Sequence, residues 1–329
     1  MRATDRRLWF IALALTATGA AGFVNARYLR TNYDSVARNY RGEIEQVRAA
    51  IARTPGPRLI IAGGSSTLFG IDAAAMQRAL GVPVVNAGMP SMLGSEDVYN
   101  EFLAAMVRPG DLVLYSNSHW LAPSTQRQTR DEAADAARIA DRLSRMGPIE
   151  FSLRDRADWP MFLFLPHRAL IGQVADPHPH IPLDWQRDAN ASAVVCKIVP
   201  RNRVPLDVAE TMPPESMFTR SRAVVQSVRA RGGDTILAES WTLIHERERE
   251  RWQPYRRALT AGLARIAPLV KAPEPLALSS VVTDFCDSPL HLTSAGRTVR
   301  TDHLIAAFRT DDALRAKLDR LRERRAAAS

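Results

Sequence analysis

Arg58-Leu59-Ile60-Ile61-Ala62-Gly63-Gly64-Ser65-Ser66-Thr67 decides the fold. Thr54-Pro55-Gly56-Pro57 breaks the chain before it, and four consecutive apolar residues then run into two glycines and a hydroxyl-rich turn. A short apolar run bounded by turn residues reads as a strand buried on both faces. The glycines permit a sharp turn at its end, which presents a hydroxyl at the sheet edge. The same kind of strand recurs at Val82 to Ala87, at Asp111 to Ser116 behind Arg108-Pro109-Gly110, and at Asp234 to Glu239 behind Gly232-Gly233. Helical periodicity lies between them, at Ser95 to Val107 and Met217 to Arg231. Such alternation predicts an α/β fold, a three-layer α/β/α arrangement around a parallel sheet. Further on, Glu248 to Val270 reads as a helix and Leu276 to Val282 as the last strand. Thr293 to Phe308 and Asp311 to Arg325 read as two closing helices, the second strongly basic and expected to be solvated.

Outward from this core the organisation is a membrane segment at residues 1–29, a stalk helix and linker at 30–57, and a catalytic domain at 58–310. An insertion occupies 121–215, and a basic helix closes the chain at 311–329. Arg2, Arg6 and Arg7 precede an uncharged run from Leu8 to Val24, which as a helix spans roughly 26 Å. The basic flank favours a cytoplasmic N-terminus and an exported remainder. A signal anchor is favoured by Trp9 and Phe23, and a cleaved signal peptide remains open because of the small residues at 17 to 22. For a bacterial chain the expected place is the inner membrane, single-pass, with the catalytic domain in the periplasm. The stalk carries Val36, Tyr40, Ile44, Val47 and Ile51 on one helical stripe.

With 329 residues, 46% hydrophobic and 24% charged, the chain is neither disordered nor a disulfide-stapled miniprotein. A mean hydropathy of -0.18 excludes a multi-span transporter. The net charge of +9 favours anionic surroundings without choosing among lipid, glycan and nucleic acid; the export signal argues against nucleic acid as a partner. Cys196 and Cys286 are too few for a zinc framework, and sequence leaves open whether they pair. The P-loop lysine and the G-x-G-x-x-G pattern are both missing. His178 and His180 flank Pro179 without further ligands at short spacing, so no metal or cofactor is expected. His119-Trp120 suits ordinary packing more than a sugar-binding crevice, and the aromatics Trp159, Phe162, Phe164 and Trp185 suit core, a lid or a surface for a membrane partner.

Three features fall at the C-terminal ends of predicted strands, where an open α/β sheet places its crevice. Ser66 is the candidate nucleophile. Asp287-Ser288-Pro289-Leu290-His291 supplies an imidazole and a carboxylate to orient it, the pairing that a general base requires; capping of the helix near Thr293 is the competing role. The Ser66 N–H, the Gly88 N–H and the Asn117 side chain form a candidate oxyanion set.

These residues resemble the four conserved blocks of the SGNH, or GDSL-like, hydrolase and acyltransferase superfamily. The resemblance covers Arg58 to Trp120 and Met217 to Phe308. It gives Ser66 the nucleophile role, with Ser65 in place of the usual Asp, and gives Gly88 and Asn117 the oxyanion roles. It also implies a flavodoxin-like sheet. In the family the acid lies three residues before the histidine, whereas Asp287 lies four before His291, so Asp284 stands as the alternative acid. Ser118 and Tyr115 depart from the pattern around Asn117. With the N-terminal anchor, the chain resembles proteins acting beside a membrane-bound O-acyltransferase on cell-surface polysaccharides, as in alginate acetylation and teichoic-acid alanylation. The resemblance thus implies a serine acyltransferase or esterase acting on O-acyl, by analogy acetyl, groups of a surface or secreted polysaccharide. The alternative is a catalytically inactive SGNH-like glycan-binding or scaffold subunit of the acyltransferase complex.

Overall fold

The computed structural model describes residues 9–10, 12–13, 16, 45–89, 102–117, 120, 187–190, 192, 205–206 and 212–328. The chain divides into two compact units, one of residues 1–41 with 139–183 and one of 42–138 with 184–329. In the first, the described residues at 9, 10, 12, 13 and 16 are helical. Most of the Leu8 to Val24 run, the larger part of the insertion, His178, His180, Trp159, Phe162, Phe164 and Trp185 lie outside the described residues, as does most of the predicted stalk. Among the described residues no helix is long and apolar enough to cross a membrane.

The second unit is built on a five-stranded parallel sheet. In chain order its elements are β1 (Leu59–Gly63), α1 (Ser65–Gly70), α2 (Ala73–Leu80), β2 (Val84–Asn86), β3 (Leu112–Ser116), α3 (Glu215–Ala230) and β4 (Asp234–Ala238). They continue as β5 (Thr242–Leu243), α4 (Arg249–Ala264), β6 (Leu269–Val270), α5 (Glu274–Ala277), β7 (Leu278–Ser279), α6 (Ser294–Thr310) and α7 (Asp312–Ala328). The sheet order is β2-β1-β3-β4-β6, every neighbouring pair parallel. Strand order reverses beside β1, so the crevice between the C-terminal ends of β1 and β3 is the place for a ligand.

Alternation along the strands divides the side chains between two faces. Leu59 and Ile61 of β1, Leu112 and Leu114 of β3, and Ile236 and Ala238 of β4 pack with Met76 and Leu80 of α2, Leu304 and Phe308 of α6, and Leu314, Leu318 and Leu321 of α7. On the other face Tyr115 meets Trp120 edge to face at 5.7 Å, and Tyr255 of α4 donates to the Trp120 carbonyl at 2.8 Å. Trp120 is therefore a core residue. Truncating one of these buried leucines to alanine costs about 2–5 kcal/mol.

Local chemistry sets the helix limits. Asp72 caps α2 by accepting from the Ala75 N–H at 2.9 Å, and Gly81 ends it in the left-handed region at φ +67°. Thr293 caps α6 through the Gly296 N–H, which leaves Asp287 and His291 out of the capping role.

Three expectations are corrected. Glu248 to Val270 is not one helix: α4 ends at Ala264, and Leu269–Val270 forms the fifth strand. Pro268 cannot continue a helix, and its carbonyl instead accepts the Leu237 N–H at 2.8 Å. Leu276 to Val282 is not a strand of the main sheet. Pro275 sits at the start of the short α5, and β7 pairs with β5 outside the main sheet while Val281 and Val282 are exposed. The basic C-terminal helix is not merely solvated, because Leu314, Leu318 and Leu321 recur at i, i+4, i+7 and are buried.

Candidate functional site

The turn after β1 is built around a glycine that no other residue replaces without displacement. Gly63 has φ +149°, and a Cβ there would lie 1.9 Å from the Ser116 carbonyl oxygen. This close approach joins the ends of β1 and β3, and Thr67 ties them again by donating from Oγ1 to the Ser116 carbonyl at 2.8 Å. α1 therefore starts at the crevice with Ser65 and Ser66 in its first turn, where their N–H groups have no carbonyl one helical turn earlier to bond. On its other flank, Gly88 lies against the helix backbone: a Cβ there would come within 2.6 Å of the Leu68 nitrogen.

His291 arrives from the far end of the chain on a clasped loop. Phe285 and Leu292 face each other in an antiparallel bridge and are both buried with Trp241, Leu243 and Ala277. Within the clasp the Cys286 N–H donates to the His291 carbonyl at 3.0 Å, and Ser288 Oγ accepts the N–H groups of Leu290 and His291, each at 3.2 Å. Cys286 is disulfide-bonded. The limb leading into Asp287 is thus held covalently as well as by packing.

This loop brings His291 Nδ1 to 2.7 Å from Asp287 Oδ1. An ionised carboxylate can only accept, so Nδ1 carries the proton of this bond, and in the neutral imidazole the lone pair is then on Nε2. The turn built on Ser288 absorbs the extra residue between acid and base. It is Asp287, not the alternative Asp284, that bonds the imidazole. Asp284 instead accepts the Thr293 N–H on its carbonyl, and burial pushes its carboxyl above the usual range. The His291 ring packs on Phe69 of α1 with centroids 4.7 Å apart. The acid–base pair from residues 287–291 is therefore seated on the helix that begins with Ser65 and Ser66.

Ser66 is fully buried, and its Oγ is sealed from solvent with no hydrogen-bond partner among the described residues. Its carbonyl accepts from Arg300 Nη1 at 3.0 Å. The Gly88 N–H, an expected oxyanion donor, is committed to Asn86 Oδ1 at 2.9 Å, and the Gly88 carbonyl accepts from Arg187 at 3.0 Å. Asn86 also reaches the carbonyls of Thr67 and Ile71 with its Nδ2, each at 3.2 Å, so its amide is fixed in that orientation. Asn117 is buried at the end of β3 and donates from Nδ2 to the Tyr115 hydroxyl at 3.3 Å.

Two residues that sequence reasoning passed over shape this site. Phe69 is the platform for the imidazole. Arg300 is 1% exposed and bonds the Ser66 carbonyl and, at 2.7 Å, Ser116 Oγ, while among the described residues no carboxylate pairs with it. Burial lowers its pKa to about 10. Its signal in the sequence is the i, i+4 stripe Gly296, Arg300, Leu304, Phe308, a helix face that is otherwise small or apolar. Among the described residues no group of histidine, cysteine and acidic side chains is arranged to hold a metal ion.

No family model matches the chain. No curated protein matches it either. Among solved structures, the X-ray crystal structure of protein YxiM from Bacillus subtilis is similar at 12% identity and a TM-score of 0.37, over 77% of this chain. This chain spans 56% of the length of that one.

Proposed function

We propose that the protein is a serine acyltransferase or esterase of the SGNH type, with a flavodoxin-like sheet, acting on O-acyl groups of a cell-surface or secreted polysaccharide. The observation that carries the reading is the 2.7 Å bond between Asp287 and His291, seated through Phe69 on the helix that opens with two serines. In the reaction, a serine hydroxyl of α1 gives its proton to His291 Nε2 as its oxygen bonds the ester carbonyl carbon. The bond from that carbon to the leaving alcohol then breaks, and the alcohol takes the proton from Nε2. In the second half, water or a sugar hydroxyl gives a proton to Nε2 as its oxygen bonds the acyl carbon; the bond from that carbon to the serine oxygen then breaks, and the serine takes the proton back from Nε2. Asp287 remains ionised and holds the imidazolium. The first-turn N–H groups of α1 and the Asn117 amide are the oxyanion donors in this reading. The site would work in the periplasm, on a chain anchored by its N-terminal segment beside a membrane-bound O-acyltransferase.

One observation favours the scaffold alternative: the engagement of the Gly88 N–H by Asn86 occupies a donor that the chemistry expects to be free. Turnover separates the two readings. The full chain in detergent should release p-nitrophenolate from p-nitrophenyl acetate, and Asp287→Ala should lower kcat by about 10²–10⁴-fold while leaving the fold intact by circular dichroism. A folded wild-type chain with no release above background would favour the scaffold.

A further inference from the structure

We infer that the N-terminal edge of the main sheet, the end opposite the crevice, is a basic surface that lies on anionic phospholipid headgroups. The turns leading into β1, β3 and β4 abut one another there. The Gly110 N–H donates to the Gly232 carbonyl at 2.9 Å, and a Cβ on Gly110 would meet Pro57 Cγ at 3.0 Å. α7 runs across the same edge. Its Lys317 pairs with Asp234 at the start of β4, the same Gly110 Cβ would lie 3.4 Å from Arg324 Cδ, and Arg325 donates to the Pro55 carbonyl at 3.3 Å.

Basic residues are ordinary at helix C-termini, where they bond the last carbonyls. Arg58 does so to Ile51 and Thr54, Arg309 to Ala79 and Arg322 to Leu80. A second set is left over. Arg53, Arg108, Arg231 and Arg324 are exposed, and among the described residues their side chains bond neither a carboxylate nor a carbonyl. The carboxylates within the edge are already engaged: Asp111 is buried against Arg58, and Asp234 faces Arg320 at 3.7 Å as well as Lys317. Asp319 of α7 pairs with Arg322 at 2.8 Å, and Glu323, exposed beside Arg324, leaves the four guanidinium groups in excess.

Three observations choose lipid as the anion. The four arginines are spread over the starts of three strands and a crossing helix, so they match a plane of charges better than a single phosphate. Sugar rings and unpaired bases are commonly held by stacking on aromatic rings, and among the described residues the exposed aromatic rings are Trp9 and Phe10, outside this unit. The chain also enters the unit at this edge, through residues 45–57, and upstream of them in sequence lies the uncharged run Leu8 to Val24, whose composition suits lipid. An edge resting on headgroups turns the crevice away from the bilayer by the length of β1 and β3, roughly 17 Å for five residues.

Arginine footprinting tests this without reference to catalysis, so its outcome is separate from that of the serine chemistry. The full chain is placed in nanodiscs of phosphatidylcholine alone or with about one-third phosphatidylglycerol and treated with p-hydroxyphenylglyoxal, and modification is followed by peptide mass spectrometry. Arg53, Arg108, Arg231 and Arg324 should react about fivefold or more slowly in the anionic nanodiscs. The slowing should vanish in about 0.5 M sodium chloride. Arg251, 65% exposed at the other end of α4, should react alike in both. Equal rates at the four arginines in the two bilayers, or a slowing that Arg251 shares, would overturn the inference. Protection brought only by an added anionic polysaccharide or by RNA, in neutral nanodiscs, would overturn it too and give the edge to that polyanion.

Discussion

Among the described residues of the second unit two arginines are fully buried, at opposite edges of the same sheet, and they are handled in opposite ways. Arg58, at the N-terminal edge of β1, faces a carboxylate: its Nη2 lies 3.3 Å from Asp111 Oδ2. Its Nη1 also caps the carbonyls of Ile51 and Thr54 at 2.6 and 2.7 Å, which fastens the helical turns at 45–53 to the sheet. Asp111 is satisfied in turn by the N–H groups of Arg58 and Arg108. Burial still pushes the Asp111 carboxyl above its usual range, against the pull of these partners. Arg300, beneath the C-terminal crevice, has a carbonyl and a hydroxyl and, among the described residues, no carboxylate. Neutralising a buried charge with a carboxylate is the ordinary structural solution, because an unpaired one is costly. The edge that lacks this solution is the edge with His291, Ser65 and Ser66. On the proposed reading, positive potential there would favour the negative charge that develops on an ester oxygen during attack.

Mutations at the two arginines sharpen the contrast. The larger effect on stability is expected at the paired site. Arg58→Met strands a buried carboxylate and should cost about 3–5 kcal/mol in denaturant unfolding. Arg58→Met with Asp111→Leu should recover much of that, since the stranded charge is gone. A single variant as stable as wild type would mean that the pair does not fasten this edge.

A smaller stability change, about 1–3 kcal/mol, is expected for Arg300→Met, which removes a donor from the Ser66 carbonyl and from the Ser116 hydroxyl, the latter still 3.0 Å from Ser240 Oγ, but also removes a buried charge. Its signature is kinetic: fluorophosphonate labelling should slow by about tenfold or more, beyond what the loss of folded protein explains. Arg300→Lys, which retains a charge, should fall between. The pH dependence has a definite sign. Because the folded-state pKa of Arg300 is lowered to about 10, the unfolded chain holds a proton that the folded one has released between there and the ordinary arginine value. Wild type should therefore gain stability relative to Arg300→Met as pH rises through that window, and lose the gain as pH falls back through about 10. Equal labelling rates for wild type and Arg300→Met would reduce Arg300 to a packing residue.

The same contrast explains what could be read from sequence. β1, β3 and β4 were legible because each is an apolar run between turn residues, a signal carried by the run itself. β6 was not, because two residues after Pro268 make no periodic pattern and become a strand only by lying beside Leu237 and Ala238. The burial of α7 was written in Leu314, Leu318 and Leu321, but its arginines outweighed three leucines when the helix was judged by charge. In the site, the sequence put an acid and a histidine in one loop, and spacing alone left Asp287 and Asp284 as candidates. What selected Asp287 was a turn through Ser288 and a clasp made by Phe285 and Leu292, which no local rule reports. The Gly88 N–H was read as a free donor because nothing in the sequence says that Asn86, two residues earlier, turns its side chain onto it.

The central claim is that the lone pair on His291 Nε2 takes a proton from a serine at the start of α1. The rate of fluorophosphonate incorporation into the full chain, wild type against His291→Gln, measures it most directly, because the reagent reacts only with an activated hydroxyl. A fall of at least about a thousandfold in a variant that unfolds like wild type is the predicted result. Incorporation at the wild-type rate, with the adduct still within Leu59 to Arg78, would contradict it.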